Sequence, residues 1–288
     1  MPNNLINSIQ KQLISLTNKK FSRSYITNYI VPIFDFIDNS KKTKFMISGS
    51  QGIGKSTILR LLEENFTHFY KKKLLSLSLD NYYLSKTKRM HMSTNIQPLL
   101  ITRGVPGTHD IKKLSSDINK FENSYYPIKI PIFNKLKDER SKKYKIIDFK
   151  TDILILEGWC CGSPPLTAKY LKKNINLLER KFDKTNIWRN YYNHKLKTTY
   201  LKLFNRFDHL IYLKAPDFNS VLKWRLKQEK RMTKNKKNKI YAMNNKQIKN
   251  FIQYYEKITK WMIRELPFKS KVVIYVDKNQ KIKKMRMN

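Results

Sequence analysis

GSQGIGKS, running from Gly49 to Ser56, is the stretch on which the reading of this chain turns. It follows directly on the apolar run Lys44 to Ser48 and directly precedes STILRLLEENF, whose apolar residues recur at helical intervals. Strand, glycine loop and helix in that order form the setting in which GxxxxGK[ST] works as a Walker A motif, or P-loop. Its glycines let successive backbone amides point inward, and the helix N-terminus adds its positive end, which makes a nest for the β-phosphate of a nucleotide. Lys55 can bridge β and γ oxygens, and Ser56 can ligate Mg²⁺. Gly49, Ser50, Gln51, Gly52, Ile53, Gly54, Lys55, Ser56 and Thr57 are therefore the candidate nucleotide-binding residues, with ATP and Mg²⁺ the expected cofactors.

All seven glycines of the chain fall between residues 49 and 162, in three clusters: Gly49, Gly52 and Gly54; Gly104 and Gly107; Gly158 and Gly162. A chain that otherwise avoids glycine uses it where a side chain would obstruct a positive φ or a close approach to ligand. The third cluster closes DILILEG, Asp152 to Gly158, which resembles a Walker B strand and offers Glu157 as the carboxylate beside a phosphate-bound Mg²⁺. Near the first cluster the run Leu74 to Leu79 ends in Asp80, within SLDNYY. A carboxylate there can orient an acceptor hydroxyl and take its proton late in a loose transition state. One crossover after the P-loop helix, Asp80 is expected beside the phosphate loop. The second cluster lies in RGVPGTHD, Arg103 to Asp110, a cation, two glycines, a proline and polar side chains that read as a substrate-recognition loop. Asp110 is placed to cap a following helix, Ile111 to Phe121.

Outward from these motifs, five short apolar runs read as buried strands: Lys44 to Ser48, Leu74 to Leu79, Asp152 to Glu157, His209 to Leu213 and Val272 to Val276. Helical spacing lies between them, most clearly where Ile248, Phe251, Ile252, Tyr255, Ile258 and Met262 share one face. The alternation predicts an α/β P-loop NTPase fold, a mostly parallel five-stranded sheet with helices on both faces and ligands along its C-terminal edge. Residues 1–43 read as an N-terminal helical extension of two helices, the second from Tyr25 to Ile37, and residues 44–288 as the P-loop domain. Within that domain, about 86–150 reads as an insertion of loops and one helix, punctuated by Pro98, Pro106, Pro127 and Pro131. The basic tract Lys227 to Lys239, inside a segment of about 225–240, reads as a surface loop or a lid whose cations close on phosphate.

The 288 residues are 40% apolar, enough for one large domain with insertions. No run approaches ~18 apolar residues, and the opening MPNNLINSIQKQL lacks a secretory pattern, so no membrane span and a soluble, cytoplasmic location are expected. Cys160 and Cys161 are adjacent, a poor geometry for a structural disulfide, and read as packing thiols of a reducing compartment. Lys plus Arg number 60 against 21 Asp plus Glu, a net charge of +39 that would attract any polyanion. Those cations are scattered rather than gathered in one arm, in a chain crowded with Lys, Asn, Ile and Tyr. Codon bias explains the charge better than a nucleic-acid footprint does.

With these motifs in hand, the chain resembles the D-glycerate 3-kinase (plant-type glycerate kinase) family, itself similar to phosphoribulokinase, uridine kinase and bacterial pantothenate kinase. The likeness runs from about Lys44 to the C-terminus, through GSQGIGKST, SLDNYY, RGVPGTHD, ILEGWCCG at Ile155 to Gly162 and WRLKQEK at Trp224 to Lys230. It implies transfer of the γ-phosphoryl group of MgATP to a hydroxyl of glycerate, a small-molecule acceptor. By this resemblance Asp80 activates the acceptor, and Lys55, Asp80 and Arg103 form the catalytic set. Asp80, Tyr83, Arg103, His109, Lys135 and Arg140 face the acceptor, while Arg225 and Arg231 belong to a lid over the nucleotide. Ser56 and Glu157 hold the metal. The chain departs from the family pattern at Asn81, where a second acid is usual, and at Asn134-Lys135, where an Asp-Lys pair is usual. It departs again in LKDERSKK, which keeps Asp138 and Arg140 but no glycine. Two alternatives stay open: a relative acting on another hydroxylated metabolite or a nucleoside, and a nucleic-acid-associated or regulatory ATP-binding protein.

Overall fold

The computed structural model describes residues 3–233 and 243–288, with side chains described up to Lys230 and again from Met243. Eight strands are present among these residues: β1 (Lys44–Gly49), β2 (Leu74–Ser78), β3 (Ile128–Asn134), β4 (Glu139–Ile147), β5 (Ile153–Gly158), β6 (His209–Lys214), β7 (Val272–Val276) and β8 (Ile282–Met287). Six of them make one sheet in the order β2-β5-β1-β6-β7-β8, the first five mutually parallel and β8 antiparallel on the edge. All five strands expected from the sequence are there, in an α/β fold with P-loop kinase-like topology.

Alternate residues of β1 explain why both faces must be covered. Phe45 and Ile47 point into one apolar layer, with Ile155, Ile211 and Ile274 from neighbouring strands, and Met46 points into the other, with Leu154, Leu156 and Val273. The first layer is closed by the P-loop helix Lys55–Tyr70, through Ile58, Leu61, Leu62 and Phe66, and by the N-terminal helix Asn3–Thr17, through Leu5, Ile9 and Leu13. Full burial of each such side chain contributes roughly 1.5–3 kcal/mol, so residues 3–43 are fastened to the sheet through the same core. The long helix Asn245–Glu265 is buried at the expected intervals through Ile248, Ile252, Tyr255, Ile258 and Met262; Tyr255, Ile258, Trp261 and Met262 enter the second layer, and Ile252 reaches the first.

Three expectations are corrected. The insertion between β2 and β5 holds two helices, Lys86–Asn95 and Ile111–Glu122, and an antiparallel hairpin, β3 with β4, rather than loops and one helix. Asp110 caps the second helix as expected, its Oδ1 accepting the amide of Lys113 at 3.1 Å. The sheet is six-stranded because β8 adds to β7. Strand β2 ends at Ser78 and does not neighbour β1; β5 lies between them, and Leu79–Tyr82 is a 3₁₀ turn. Asp80 therefore stands one strand removed from the phosphate loop. The N-terminal segment is helical where expected, from Arg23 to Asp38 through a wider π turn at Ile26–Ile30.

Among the described residues, no helix is long and apolar enough to cross a membrane. Cys160 and Cys161 are both buried, and burial pushes both thiols well up.

Candidate active site

The phosphate loop lies where β1 runs between β5 and β6, at the C-terminal edge where an α/β sheet opens a crevice. Gly52 has φ +73°, and a Cβ there would come within 3.1 Å of the Trp224 Cβ, so glycine is required both for the turn and for the helix Phe218–Thr233 to approach. The loop ends at Gly54, and the P-loop helix starts at Lys55. Lys55 is buried; its ammonium donates to the carbonyl of Ser50 at 3.1 Å and lies 3.6 Å from Glu157 Oε1. The register that pairs Ile47 with Glu157, and Ser78 with the same residue on the other side, puts this carboxylate at the centre of the edge. Ser78 Oγ donates to Glu157 Oε2 at 3.1 Å.

A magnesium ion in a phosphotransfer site is held by one or two protein oxygens plus phosphate and water. Exposed Ser56 at the helix start and Glu157 at the strand end are hard oxygen donors of that kind. The Ser48 and Ser50 hydroxyls, buried beside them, have no hydrogen-bond partner. This donor set fits a divalent cation and the oxyanions it bridges.

Across the crevice the structure gathers the acceptor-side candidates. Lys135, at the tip of the β3–β4 hairpin, pairs with Asp80 Oδ2 at 2.5 Å. Arg103 pairs with Asp138 and donates to the carbonyl of Lys135 at 3.3 Å. Arg140 donates to the Tyr83 carbonyl at 2.7 Å and to Asp110 at 3.0 Å. The Tyr83 ring stacks on His109 with centroids 4.4 Å apart. Asp80, Tyr83, Arg103, His109, Lys135 and Arg140 thus form one contiguous wall. Burial alone would raise the Asp80 pKa, but the Lys135 ammonium, seconded by Lys55, holds it well below the usual carboxylate range. The same pair raises Lys135.

The RGVPGTHD loop is pinned from behind. Trp159 Nε1 donates to the Gly104 carbonyl at 3.0 Å, and the Tyr255 hydroxyl donates to the Arg103 carbonyl at 3.0 Å. A Cβ on Gly104, whose φ is +142°, would strike the Tyr255 hydroxyl. The departures at Asn81 and Asn134 have local explanations. Asn81 Oδ1 accepts the amide of Phe133 at 3.3 Å, and Asn134 Oδ1 accepts the amides of Leu136 and Lys137 at 3.0 Å each, shaping the turn that delivers Lys135. An aspartate could accept the same bonds, so the asparagines keep the geometry and remove negative charge.

Several site residues were not singled out from the sequence. Asp138 joins Arg103 to the fully buried Arg89. Phe251 is in contact with two guanidiniums, Arg103 at 6.0 Å and Arg225 at 5.9 Å from its ring centroid, while Arg225 also pairs with Glu229 at 2.6 Å. Helical spacing marked Phe251 as core, and the facing arginines come from distant segments, so only the fold reveals the bridge. Each cation–π contact is worth about 1 kcal/mol at a partly exposed site, so Phe251→Ala is expected to lower kcat/KM about tenfold, with Phe251→Tyr restoring most of it. Steady-state kinetics in which alanine matches the native enzyme would remove Phe251 from the site. The Arg231 side chain and most of the basic tract Lys227 to Lys239, hence much of the expected lid, lie outside the described residues.

His109 shares a 2.6 Å hydrogen bond, through Nδ1, with the Tyr200 hydroxyl, while its Nε2 is buried without a partner. Burial pushes its pKa down from 6.5 to about 3. The unfolded chain takes up this proton as pH falls below 6.5, but the folded one does not until about 3, so this residue makes stability fall with pH through that window. His109→Gln is expected to flatten the decline of the urea midpoint between pH 7 and pH 5. An unchanged slope would show that His109 titrates normally.

A cavity of about 270 Å³ continues from the phosphate loop on the side away from Asp80, reaching Trp224, Gln228, Val276 and Gln280. No protein-family model matches the chain. It is 30% identical over 221 residues, 73% of its length and 76% of the relative's, to the uncharacterized kinase mug58 of Schizosaccharomyces pombe. With the probable ATP-dependent kinase TDA10 of Saccharomyces cerevisiae it shares 27% identity over 75% of its length and 76% of that protein's. Among solved structures, a D-glycerate 3-kinase from Cryptococcus neoformans superposes with a TM-score of 0.71 at 22% identity, covering 91% of this chain and 97% of that one. At that identity the likeness is one of fold.

Proposed function

The chain belongs to the family of the fission-yeast kinase mug58, with a P-loop kinase fold, and from that premise we propose that it transfers the γ-phosphoryl group of ATP to a hydroxyl of D-glycerate. What carries the reading is the placement of two opposite charges on one sheet edge. Lys55 sits in the phosphate loop, and Asp80 lies one strand away among the cations Lys135, Arg103 and Arg140. The first arrangement suits a triphosphate. The second suits a small acceptor that carries both a hydroxyl and an anionic group.

In this reading an acceptor carboxylate sits among Lys135, Arg103 and Arg140, and its hydroxyl faces Asp80. The hydroxyl oxygen forms a bond to the γ-phosphorus as the bond from phosphorus to the β-γ bridging oxygen breaks, and ADP carries away that electron pair. Asp80 takes the hydroxyl proton. Because the transition state is loose and the proton leaves late, a carboxylate kept ionised by Lys135 serves this role without a raised pKa. In this reading Lys55 faces the charge that develops on the transferring group, and Arg103 and Arg225, both in contact with the Phe251 ring, are further cations available to it. Ser56 and Glu157 would hold magnesium, which when bound would supply charge neutralisation to the phosphates. The name of the Cryptococcus neoformans protein with this fold supports glycerate as acceptor.

The cations Lys135, Arg103 and Arg140 on the Asp80 side of the site favour an anionic acceptor over a neutral nucleoside. A coupled ADP-release assay across D-glycerate, other hydroxy acids, sugars and nucleosides tests this choice. Acceleration by D-glycerate supports it, and acceleration by a different acceptor alone overturns the glycerate assignment.

A further inference from the structure

We infer that the N-terminal segment forms one wall of the pocket for the nucleotide base, so that residues 13–25 help set nucleotide affinity. This deepens the phosphotransfer reading and rests on it. The cavity of about 270 Å³ beside the phosphate loop is only a little below the ~300–1,000 Å³ of small-molecule sites. Its floor is the start of the P-loop helix, from Gly54 to Ile58, so its occupant is continuous with anything bound through Lys55 and Ser56. One side is Trp224 and Gln228 of the helix Phe218–Thr233, and another is Val276 with Gln280. Leu16, Thr17, Phe21 and Tyr25 supply the remaining side, and they lie in the segment outside the P-loop domain as read from sequence.

The turn between β7 and β8 ties these walls together. Gln280 Nε2 donates to the Gly52 carbonyl at 2.5 Å, and Trp224 Nε1 donates to the Lys278 carbonyl at 2.9 Å. From the N-terminal segment, Lys19 Nζ donates to the Asn279 carbonyl at 3.1 Å, and the Tyr25 hydroxyl accepts the Ile282 amide at 2.8 Å. The phosphate loop, the helix carrying Trp224 and the N-terminal segment are thus three supports of one turn. Aliphatic and aromatic side chains supply just over half of the lining, and Thr17, Gln228 and Gln280 stand among them, a mixture that matches the flat apolar faces and polar edges of a heteroaromatic base. A ring stacked there gains by leaving water, while its phosphates remain on the glycine loop.

Two probes separate these halves: MgATP, which uses loop and pocket, and inorganic tripolyphosphate with magnesium, which uses the loop alone. Leu16→Trp fills the space and Phe21→Ala removes part of its wall. Each is expected to weaken ATP about tenfold or more in calorimetry while leaving tripolyphosphate within about twofold, since the base loses its space in the first variant and an aromatic contact in the second, and neither removes a phosphate ligand. Unchanged tripolyphosphate binding also certifies that the variant's loop is folded. If both variants bind ATP as the native protein does, or lose ATP and tripolyphosphate alike, the N-terminal wall plays no part in base binding. Native protein that binds neither probe would instead overturn the phosphotransfer reading, and this inference with it.

Discussion

Lys55→Ala is expected to reduce phosphoryl transfer by at least about a thousandfold, the scale on which removing a preorganised transition-state charge acts in a water-poor site. Lys55 is buried, and its ammonium is directed by the Ser50 carbonyl at 3.1 Å and balanced by Glu157 at 3.6 Å. In the proposed reading, truncation removes the cation that meets the γ-phosphoryl oxygens. It also leaves the Glu157 carboxylate uncompensated beside the incoming phosphates, so ground-state nucleotide affinity falls as well. Both effects point the same way, and kcat/KM for ATP should suffer more than kcat alone. Single-turnover ADP formation measures it, and a variant within tenfold of native would show that the phosphate loop does not serve the chemistry.

Asp80→Asn is expected to separate binding from turnover. Asparagine is nearly isosteric and can still accept a hydrogen bond from Lys135, so the wall around Arg103 and Arg140 stays in place. The group proposed to take the acceptor proton is gone, and a loss of about 10²–10⁴ in kcat is expected for a missing general base. ATP affinity should stay close to native, because Asp80 stands across the crevice from the phosphate loop, beyond β5. Turnover near native with asparagine would reduce Asp80 to a partner of Lys135. If ATP binding collapses too, the residue braces the site rather than acting in it.

The parts legible in the sequence were those where one segment carries its own signal. GSQGIGKS, the buried strands and the face Ile248 to Met262 each show periodicity or punctuation that needs no partner to interpret. The hairpin was hidden because β4 exposes Lys142, Lys143, Tyr144, Lys145 and Ile146 in succession, leaving no alternation to read, and prolines in and before β3 suggested a loop. Strand β8 escaped for the same reason, with Lys283 and Lys284 both exposed. That β5 lies between β1 and β2 was not legible, because sheet order depends on which crossover skips a neighbour, and that is a property of packing. Within the site, Lys55, Glu157, Asp80 and Arg103 stood out as chemistry-bearing residues in motifs. Phe251, Tyr255 and the N-terminal wall did not, since each gains its place from contacts across more than thirty residues of chain; Asp138 was visible in LKDERSKK, but its pairing with Arg103 and Arg89 was not. Trp159 is intermediate: its position in ILEGWCCG was visible, but only the fold shows that it holds the Gly104 carbonyl.

The proposed function joins the phosphate loop to Asp80 in one chemical event, and following the phosphoryl group itself tests that event most directly. Native protein given magnesium, D-glycerate and ATP labelled with ¹⁸O in the γ-phosphoryl group should yield, by mass spectrometry, a phosphorylated glycerate that carries the label together with unlabelled ADP. Label recovered only as inorganic phosphate, or ATP left intact in the presence of glycerate, would contradict transfer to this acceptor.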